Sequence, residues 1–279
     1  MSSRENPVGP DGGPRRATRT ALLGMTAVGV TAALLMATTV RAQTVDDIVR
    51  RYLNARGGIV KLRSVQSLRL GGTMELPGVS APFVLELKRP DKMRTEFTVG
   101  GQRGVRAWDG RVAWAQLPLP GERPKLMDPE DAAEARAEAD VDLSPLVDAA
   151  AKGYTIELAG RDRLPGGDTW KLVVRGGDEP PRTLYIDARS HLVVQTVDRR
   201  NLEGKEVEFV TEVGDYRSVD GLVFPHRIEV GPRGSPERQR FVIQTIEVNP
   251  PLDDARFAMP GGRAVAPKPA KPTTPAVLP

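Results

Sequence analysis

The sequence predicts a mostly β (α+β) protein, in which a curved antiparallel sheet forms an incomplete β-barrel with helices covering its apolar concave side. Three observations support this prediction. Apolar and polar residues alternate with a period of two over several segments, which is typical of strands. Glycine and proline, with 28 and 25 of the 279 residues, exceed their average use and favour many turns. Helical segments interrupt the strands and can cover the dry face of such a sheet.

The composition describes an ordinary chain with one substantial core, because 39% of its residues are hydrophobic and 27% are charged. The formal charge of +4 comes largely from the two ends of the chain, and basic residues between them alternate with acidic ones. That pattern argues against nucleic-acid binding. The chain has no cysteine, which excludes disulfides, thiolate metal sites and processing to a lipoprotein.

Residues 1–42 have the order of a secretory signal peptide. Arg15, Arg16 and Arg19 precede the apolar run from Ala21 to Val40, and small residues follow, so we predict cleavage after Ala42. We therefore expect export across a bacterial inner membrane and a periplasmic protein. An uncleaved membrane anchor is the alternative, since about 20 apolar residues can span a bilayer.

The exported part opens with a predicted helix. Thr44 is a suitable N-cap with a carboxylate at Asp47, and Ile48, Tyr52 and Leu53 fall on one helical face. Gly57–Gly58 ends this helix, because glycine accepts the left-handed conformation of a C-cap. A second short helical turn is predicted over residues 59–63.

From Ser67 the period changes to two, which predicts a consecutive antiparallel meander. Asp109–Gly110 lies between two alternating segments and indicates a hairpin turn. The alternation breaks over residues 118–124, and residues 128–152, rich in alanine and glutamate, are predicted to be helical and divided by Pro145. Only the second part of this helical region carries apolar residues larger than alanine.

Strands return in the second half, separated by glycine, proline and aspartate turns, over residues 154–158, 170–174, 183–186, 192–198, 206–213, 222–230 and 240–248. In residues 206–213 the apolar residues alternate with glutamates, which predicts one dry and one wet face. The proline-rich end cannot form helix or sheet. We therefore divide the chain into a signal peptide (1–42), a half-barrel domain (43–262) and a disordered tail (263–279).

The sequence does not indicate an enzyme. Its two histidines, His191 and His226, have no metal-ligand spacing, and no serine lies in a G-x-S-x-G turn. Spacing alone leaves acidic pairs such as those of glycosidases open, but the glutamates alternate as a solvated sheet face requires. We predict no catalytic residue, no metal and no cofactor.

Four motifs resemble the LolA/LolB lipoprotein-carrier superfamily. Lys88-Arg89-Pro90 ends one strand, and the next hairpin, within residues 105–114, turns at Asp109-Gly110 before the aromatic Trp114. A segment with Asp220-Gly221 follows at residues 216–225, and the chain has a D-x-x-x-F-x-x-P ending at residues 253–260. The similarity extends over about residues 44–262.

The resemblance implies an apolar cavity that accepts acyl chains beneath a helical lid. It also implies that Arg89 hydrogen-bonds helix carbonyls and keeps the lid closed; a strand end with solvated charges is the simpler interpretation. The residues expected to line the acyl site are Leu85, Met93, Phe97, Trp108, Trp114, Leu143, Leu146, Val147, Val207, Phe209 and Phe241. Each of them could instead belong to an ordinary core.

These sequence features are compatible with three functions. The first is a periplasmic carrier of lipid or acylated lipoprotein, which we predict to be monomeric, with a partner protein in the inner or outer membrane. The second is a non-catalytic sensor of RseB type with the same fold, which would bind a protein partner. The third, a secreted hydrolase, would need carboxylates or histidine clustered in a polar cleft.

Overall fold

The computed structural model describes residues 43–176, 179–202 and 205–261. The predicted signal peptide with its cleavage site and the predicted tail at 263–279 lie outside these residues. Within the described ranges, no helix is both long enough and apolar enough to cross a membrane.

The described residues contain one sheet of thirteen strands. In chain order the strands are β1 Ser67–Leu76, β2 Val79–Lys88, β3 Lys92–Val99, β4 Gln102–Trp108, β5 Ala113–Gln116, β6 Lys125–Leu126, β7 Thr155–Leu164, β8 Gly167–Gly176, β9 Glu179–Asp187, β10 Val193–Leu202, β11 Lys205–Val219, β12 Leu222–Pro232 and β13 Gln239–Val248.

The sheet consists of two antiparallel meanders joined by the first and last strands. Its order is β6-β5-β4-β3-β2-β1-β13-β12-β11-β10-β9-β8-β7, and β1 pairs with β13 in antiparallel register. The edge strands are β6 and β7, and the sheet is not closed into a barrel. The predicted mostly β fold with an open antiparallel sheet is confirmed.

Two short helices precede the sheet, as predicted. The first, α1, extends over Val45–Ala55, and the Thr44 hydroxyl accepts a hydrogen bond from the Asp47 amide at 3.2 Å. The second, α2, extends over Ile59–Arg63. Gly57 between them has φ +115°, and a Cβ at this position would lie 2.5 Å from the Gly221 carbonyl oxygen. Only glycine therefore allows the chain to turn this close to the sheet.

The connection from β6 to β7, residues 127–154, must join the two opposite edges of the sheet. We call it the crossover segment. It contains one helix, α3, over Pro129–Glu138, whose N-cap Asp128 accepts bonds from the amides of Glu130 and Asp131. Because β6 and β7 are edge strands, this segment passes over one face of the sheet and covers it.

The predicted helix at 128–152 is wrong beyond residue 138. Residues 141–153 form a series of turns, and Leu143 and Asp148 have φ of 51° and 52°. The Asp142 amide donates to the Asp140 side chain at 3.0 Å and the Leu146 amide to the Ser144 hydroxyl at 3.2 Å. Such local bonds offer the backbone an alternative to the helical ladder.

The two faces of the sheet are covered by different segments. The face under α3 carries the main core, which continues beneath α1. The opposite face of β4 and β5 is covered by the end of the described chain, where Phe257 is fully buried and its carbonyl accepts a bond from the Trp114 indole at 2.8 Å. A 3-10 turn at Asp254–Arg256 leads into this contact.

The prediction of one dry and one wet face does not hold for β11. Phe209 and its neighbours on the predicted dry face are only half-buried, whereas Val210 on the glutamate face is buried. Val210 packs there with Tyr185 and Val197, so both faces contribute to the core in this part of the sheet. The strong alternation of β11 reflects polarity rather than burial.

Candidate functional site

The crossover segment is attached to the sheet by ion pairs at α3. Beyond its first proline, the apolar residues of this helix are alanines, and Ala135 and Ala139 just after it are buried against the sheet. Two of its carboxylates, Glu134 and Glu138, contact arginines of the sheet. Arg106 of β4 donates to Glu134 at 3.1 Å and to Glu138 at 2.6 Å, and Arg200 of β10 donates to Glu134 at 2.9 Å. Ion pairs as well as small apolar contacts therefore attach α3 to the sheet.

The two arginines show how strongly the sheet curves. In sheet order β4 and β10 are the third and tenth strands, a separation of roughly 34 Å along a flat sheet at about 4.8 Å per strand. In the structure both guanidinium groups contact the single carboxylate of Glu134. The face under α3 is therefore concave.

Burial and the neighbouring charges shift the pKa of two groups around α3. Surrounding protein raises the pKa of Glu138 by desolvation, and Arg106 opposes this rise only in part. The Glu138 side chain still keeps 47% of its surface accessible, so it borders a space that water enters. Burial acts to lower the pKa of Arg200, but its bond to Asp198 and the charge of Glu134 raise it overall.

Apolar side chains form the floor of the concave face between the two arginines. Strand register places Phe97, Leu85 and Met74 on this face, followed by Phe241 and Ile228 of β13 and β12. All five are only partly buried, although core residues beside them on the same strands are buried. The floor therefore retains accessible apolar surface beneath the crossover segment.

Aromatic contacts set the shape of this floor. The Phe83 and Phe241 rings meet edge to face, with centroids 5.4 Å apart and an interplanar angle of 85°. The Phe97 ring lies over Gly104, where a Cβ would come within 2.5 Å of it. The strands on either side of the central β1–β13 pair form the two wings of the sheet. On the wing that contains β10 and β11, the Arg200 guanidinium stacks on the Phe209 ring at 4.5 Å. Charge and apolar surface are thus adjacent at Arg200.

Arg89 holds the turn part of the crossover segment. Its guanidinium donates to the Val65 carbonyl at 2.7 Å and to the Asp142 carboxylate at 2.5 Å. Asp142 has only 1% of its side chain exposed and also accepts from Lys152 at 2.8 Å. The resemblance implies that Arg89 donates to helix carbonyls. In the structure Arg89 donates to one carbonyl, that of Val65 just after α2, and also to the carboxylate of Asp142.

Lys152, itself near the end of the crossover segment, completes this charged group. Its ammonium also contacts Asp140 at 2.8 Å. Burial acts to lower the pKa of Lys152, but the bonds to Asp140 and Asp142 outweigh it and raise that pKa. Desolvation raises the pKa of Asp140 although Lys152 acts against it. The segment is thus fixed to the sheet at two charged points, one around Arg89 and one around Glu134.

The structure divides the predicted acyl-site residues into three groups. Met93, Leu146 and Val147 are fully buried core residues. Trp114 is buried on the opposite face, with Val105 and Ala107, and cannot line the concave side. The half-buried ones are Leu85, Phe97, Trp108, Leu143, Val207, Phe209 and Phe241.

The arginine and glutamate pairs were not predicted from the sequence. Arg106 lies between Val105 and Ala107, which are both buried on the opposite face, so its inward position follows from the alternation. The helix offers a second signal, since its ten residues contain no large apolar side chain that could attach it. Together these features indicate a helix held by charge.

A hollow of about 430 Å³ lies outside the concave floor. It is bordered by α1 and the end of the crossover segment, with Val49, Leu53, Tyr154 and Ile156 among its lining residues. Among the residues that the structure describes, no group of three or more histidine, aspartate or glutamate side chains is placed to hold a metal ion.

Comparison with solved structures identifies the fold. A LolA superfamily protein from Nitrosomonas europaea matches with a TM-score of 0.53 and 12% identity, over 77% of this chain and 97% of that one. A domain described as an outer-membrane lipoprotein-sorting protein, from Vibrio parahaemolyticus, matches with 0.50 and 11%, over 76% and 94%. A DUF1329 family protein from Desulfovibrio piger gives 0.51 and 11%, over 77% and 97%.

The architecture is therefore that of an open half-barrel with a covered concave face. More particularly, it is the LolA-like fold, as the motifs around Arg89 and Asp109 predicted. No protein-family profile matches the sequence, and no curated protein matches it.

Proposed function

We propose that this protein is a periplasmic carrier that binds lipid or the acyl chains of a lipoprotein on its concave face and catalyses no reaction. The observation that carries this proposal is the partly exposed apolar floor beneath a segment that ion pairs hold in place. The α3 part of this segment can move while the buried Val141, Leu146 and Val147 stay in place, because its half-exposed ion pairs contribute little net free energy.

The energetics allow such a ligand. An acyl chain of about 16 carbons gains on the order of 10 kcal/mol when buried, at about 0.8 kcal/mol per methylene. That gain exceeds what displacement of a few half-exposed ion pairs costs, at about 0–1 kcal/mol each. The signal peptide predicted at residues 1–42 supports a periplasmic location, and the LolA-like fold agrees with a role in lipoprotein handling.

The test is to express the full chain with its leader, purify it after export and measure bound lipid in organic extracts by mass spectrometry. We expect a stoichiometric acylated species. Arg89→Leu frees residues 141–153, the turns of the crossover segment, and should change how much of the acylated species the protein retains. Arg163→Leu, at an exposed position of β7, should leave that amount unchanged. If the protein is empty and a fluorescent fatty-acid probe also fails to bind, the carrier function is wrong and the protein-binding sensor becomes the leading function.

A further inference from the structure

The concave face carries two cations whose only partners from the crossover segment are the carboxylates of α3. Arg106 and Arg200 come from opposite wings of the sheet and meet at Glu134. Paired guanidinium groups at this spacing suit one oxyanion, because each can donate two charge-assisted hydrogen bonds. In this structure the helix itself supplies that oxyanion.

The helix is a weakly attached occupant of this position. Apart from alanines, it offers the sheet only Glu134 and Glu138, both of which remain more than 40% exposed. An incoming oxyanion would replace the same hydrogen bonds that these carboxylates make. Exchange between the two therefore costs little, and burial of an attached apolar chain can drive it.

The charge count favours the exchange. Arg106 and Arg200 face three carboxylates, of Glu134, Glu138 and Asp198, so the cluster carries one excess negative charge. When α3 moves away, Asp198 alone remains with the two arginines and leaves one positive charge. A ligand with a single negative charge then neutralises the site. Desolvation raises the pKa of Glu138, and the neighbouring Glu134 carboxylate adds to that rise.

The apolar floor begins directly at these arginines. The Phe209 ring lies 4.5 Å from the Arg200 guanidinium, and Val207 pairs with Arg200 across the two strands. Phe97, Leu85 and Phe241 continue the floor towards the middle of the sheet. A molecule with an acidic head at the arginines can thus lay its chain along the floor.

We propose that the ligand of the concave face is an anionic amphiphile, with its acidic head between Arg106 and Arg200 in place of the α3 carboxylates and its chain on the apolar floor. The inference rests on the proposed function, since it names the class of acyl ligand. The shared chemistry is an oxyanion, carboxylate or phosphate, joined to an alkyl chain.

The experiment compares dodecanoate, dodecanol and inorganic phosphate as ligands of the full exported chain by calorimetry. We expect dodecanoate to bind at least about tenfold more tightly than dodecanol, which is the equivalent of one charge-assisted hydrogen bond. In Arg106→Gln/Arg200→Gln this preference should vanish while dodecanol binding stays. The matched control is Arg103→Gln/Arg199→Gln, which alters arginines of the same strands that pair with Glu96 and Glu206 outside the concave face.

A second variant keeps the test decisive if the arginine variant fails to fold. Glu134→Gln/Glu138→Gln removes the competing charges of α3 and should tighten dodecanoate binding several-fold with little effect on dodecanol. Equal binding of dodecanoate and dodecanol by the unaltered protein would overturn the inference but leave the carrier function in place. Phosphate binding as tight as that of dodecanoate would also overturn it, and failure of both alkyl ligands to bind would overturn the carrier function itself.

Discussion

Arg106 and Arg200 lie on the third and tenth strands of the sheet and both donate to the carboxylate of Glu134, at 3.1 and 2.9 Å. One side chain of the crossover segment thus joins the two wings of the half-barrel. Under the proposed function this segment acts as a lid, and the helix that carries Glu134 is displaced before the apolar floor beneath it becomes fully accessible.

Removal of the Arg89 guanidinium should destabilise the fold. Arg89→Leu leaves the Asp142 carboxylate, which is 1% exposed, with Lys152 as its remaining cation and leaves the Val65 carbonyl without this donor. We expect a loss of roughly 1–3 kcal/mol, reduced from the cost of breaking a fully buried pair because Arg89 is 28% exposed. Urea denaturation measures the loss. Arg63→Leu, which breaks the exposed pair with Asp148, is the control and should change little.

The stability of the protein should depend on Glu138 in an unusual direction. Desolvation raises its pKa above the ordinary value of 4.5, against Arg106 and with Glu134 adding to the rise. The folded state therefore takes up this proton before the unfolded state does, and the group adds stability as the pH falls from neutral towards about 4.5. Above the folded pKa that contribution is absent.

Denaturation of Glu138→Gln at several pH values tests this expectation. Relative to the variant, the unaltered protein should gain stability between neutral pH and 4.5, whereas Glu130→Gln at the exposed start of the same helix should follow the unaltered protein. The same gain on acidification in both Glu138→Gln and the parent would show that Glu138 is not desolvated.

The end of the described chain should stabilise the sheet from its convex side. Phe257 is fully buried and its carbonyl holds the Trp114 indole. Phe257→Ala should cost about 3–5 kcal/mol, as is typical of a large buried aromatic. Leu119→Ala, at a residue that is 54% exposed, serves as the comparison and should fall within about 0.5 kcal/mol of the parent. A loss below about 1 kcal/mol for Phe257→Ala would mean that this segment does not cover the face in solution.

Ligand binding should move α3 away from the sheet. Since the chain has no cysteine, Ala133→Cys on the helix and Glu212→Cys on β11 provide two unique positions for spin labels. With dodecanoate bound, the distance between them should increase by roughly 5 Å or more, about one helical turn. The pair Glu157→Cys and Glu212→Cys, both on the sheet, should keep its distance. Binding without any change in the first pair would contradict the lid.

Local patterns predicted most of the elements. The N-cap at Thr44 and the Asp109 turn depend on residues within three positions of each other, and the structure shows both. The turns at 141–153 were missed because residues such as Asp142 are fixed by distant partners, here Arg89. In this stretch the content of apolar residues predicted burial correctly although the predicted helix is wrong. Val141, Leu146 and Val147 are buried as expected.

Long-range contacts limited the prediction of the site. The alternation in β4 places Arg106 inward, but only the pairing of β1 with β13 brings it near Arg200. Likewise Glu86 alternates as a solvated residue would, yet it is 1% exposed because Arg69 and Arg256 surround it. Trp114 was predicted on the wrong face because its face depends on the length of the turn after Trp108. The four-residue turn pairs Trp108 with Ala113, so Trp114 lies opposite Ala107 on the other face.

The most direct test of the concave site is a bulky residue placed on its floor. Thr211 lies half-buried on the concave face beside Phe209, and Glu212, the next residue, points from the opposite face with 52% of its side chain exposed. Binding of a fluorescent fatty-acid probe should weaken at least about tenfold in Thr211→Trp and stay unchanged in Glu212→Trp. Equal binding by both variants and the parent would show that the acyl chain does not occupy the concave face.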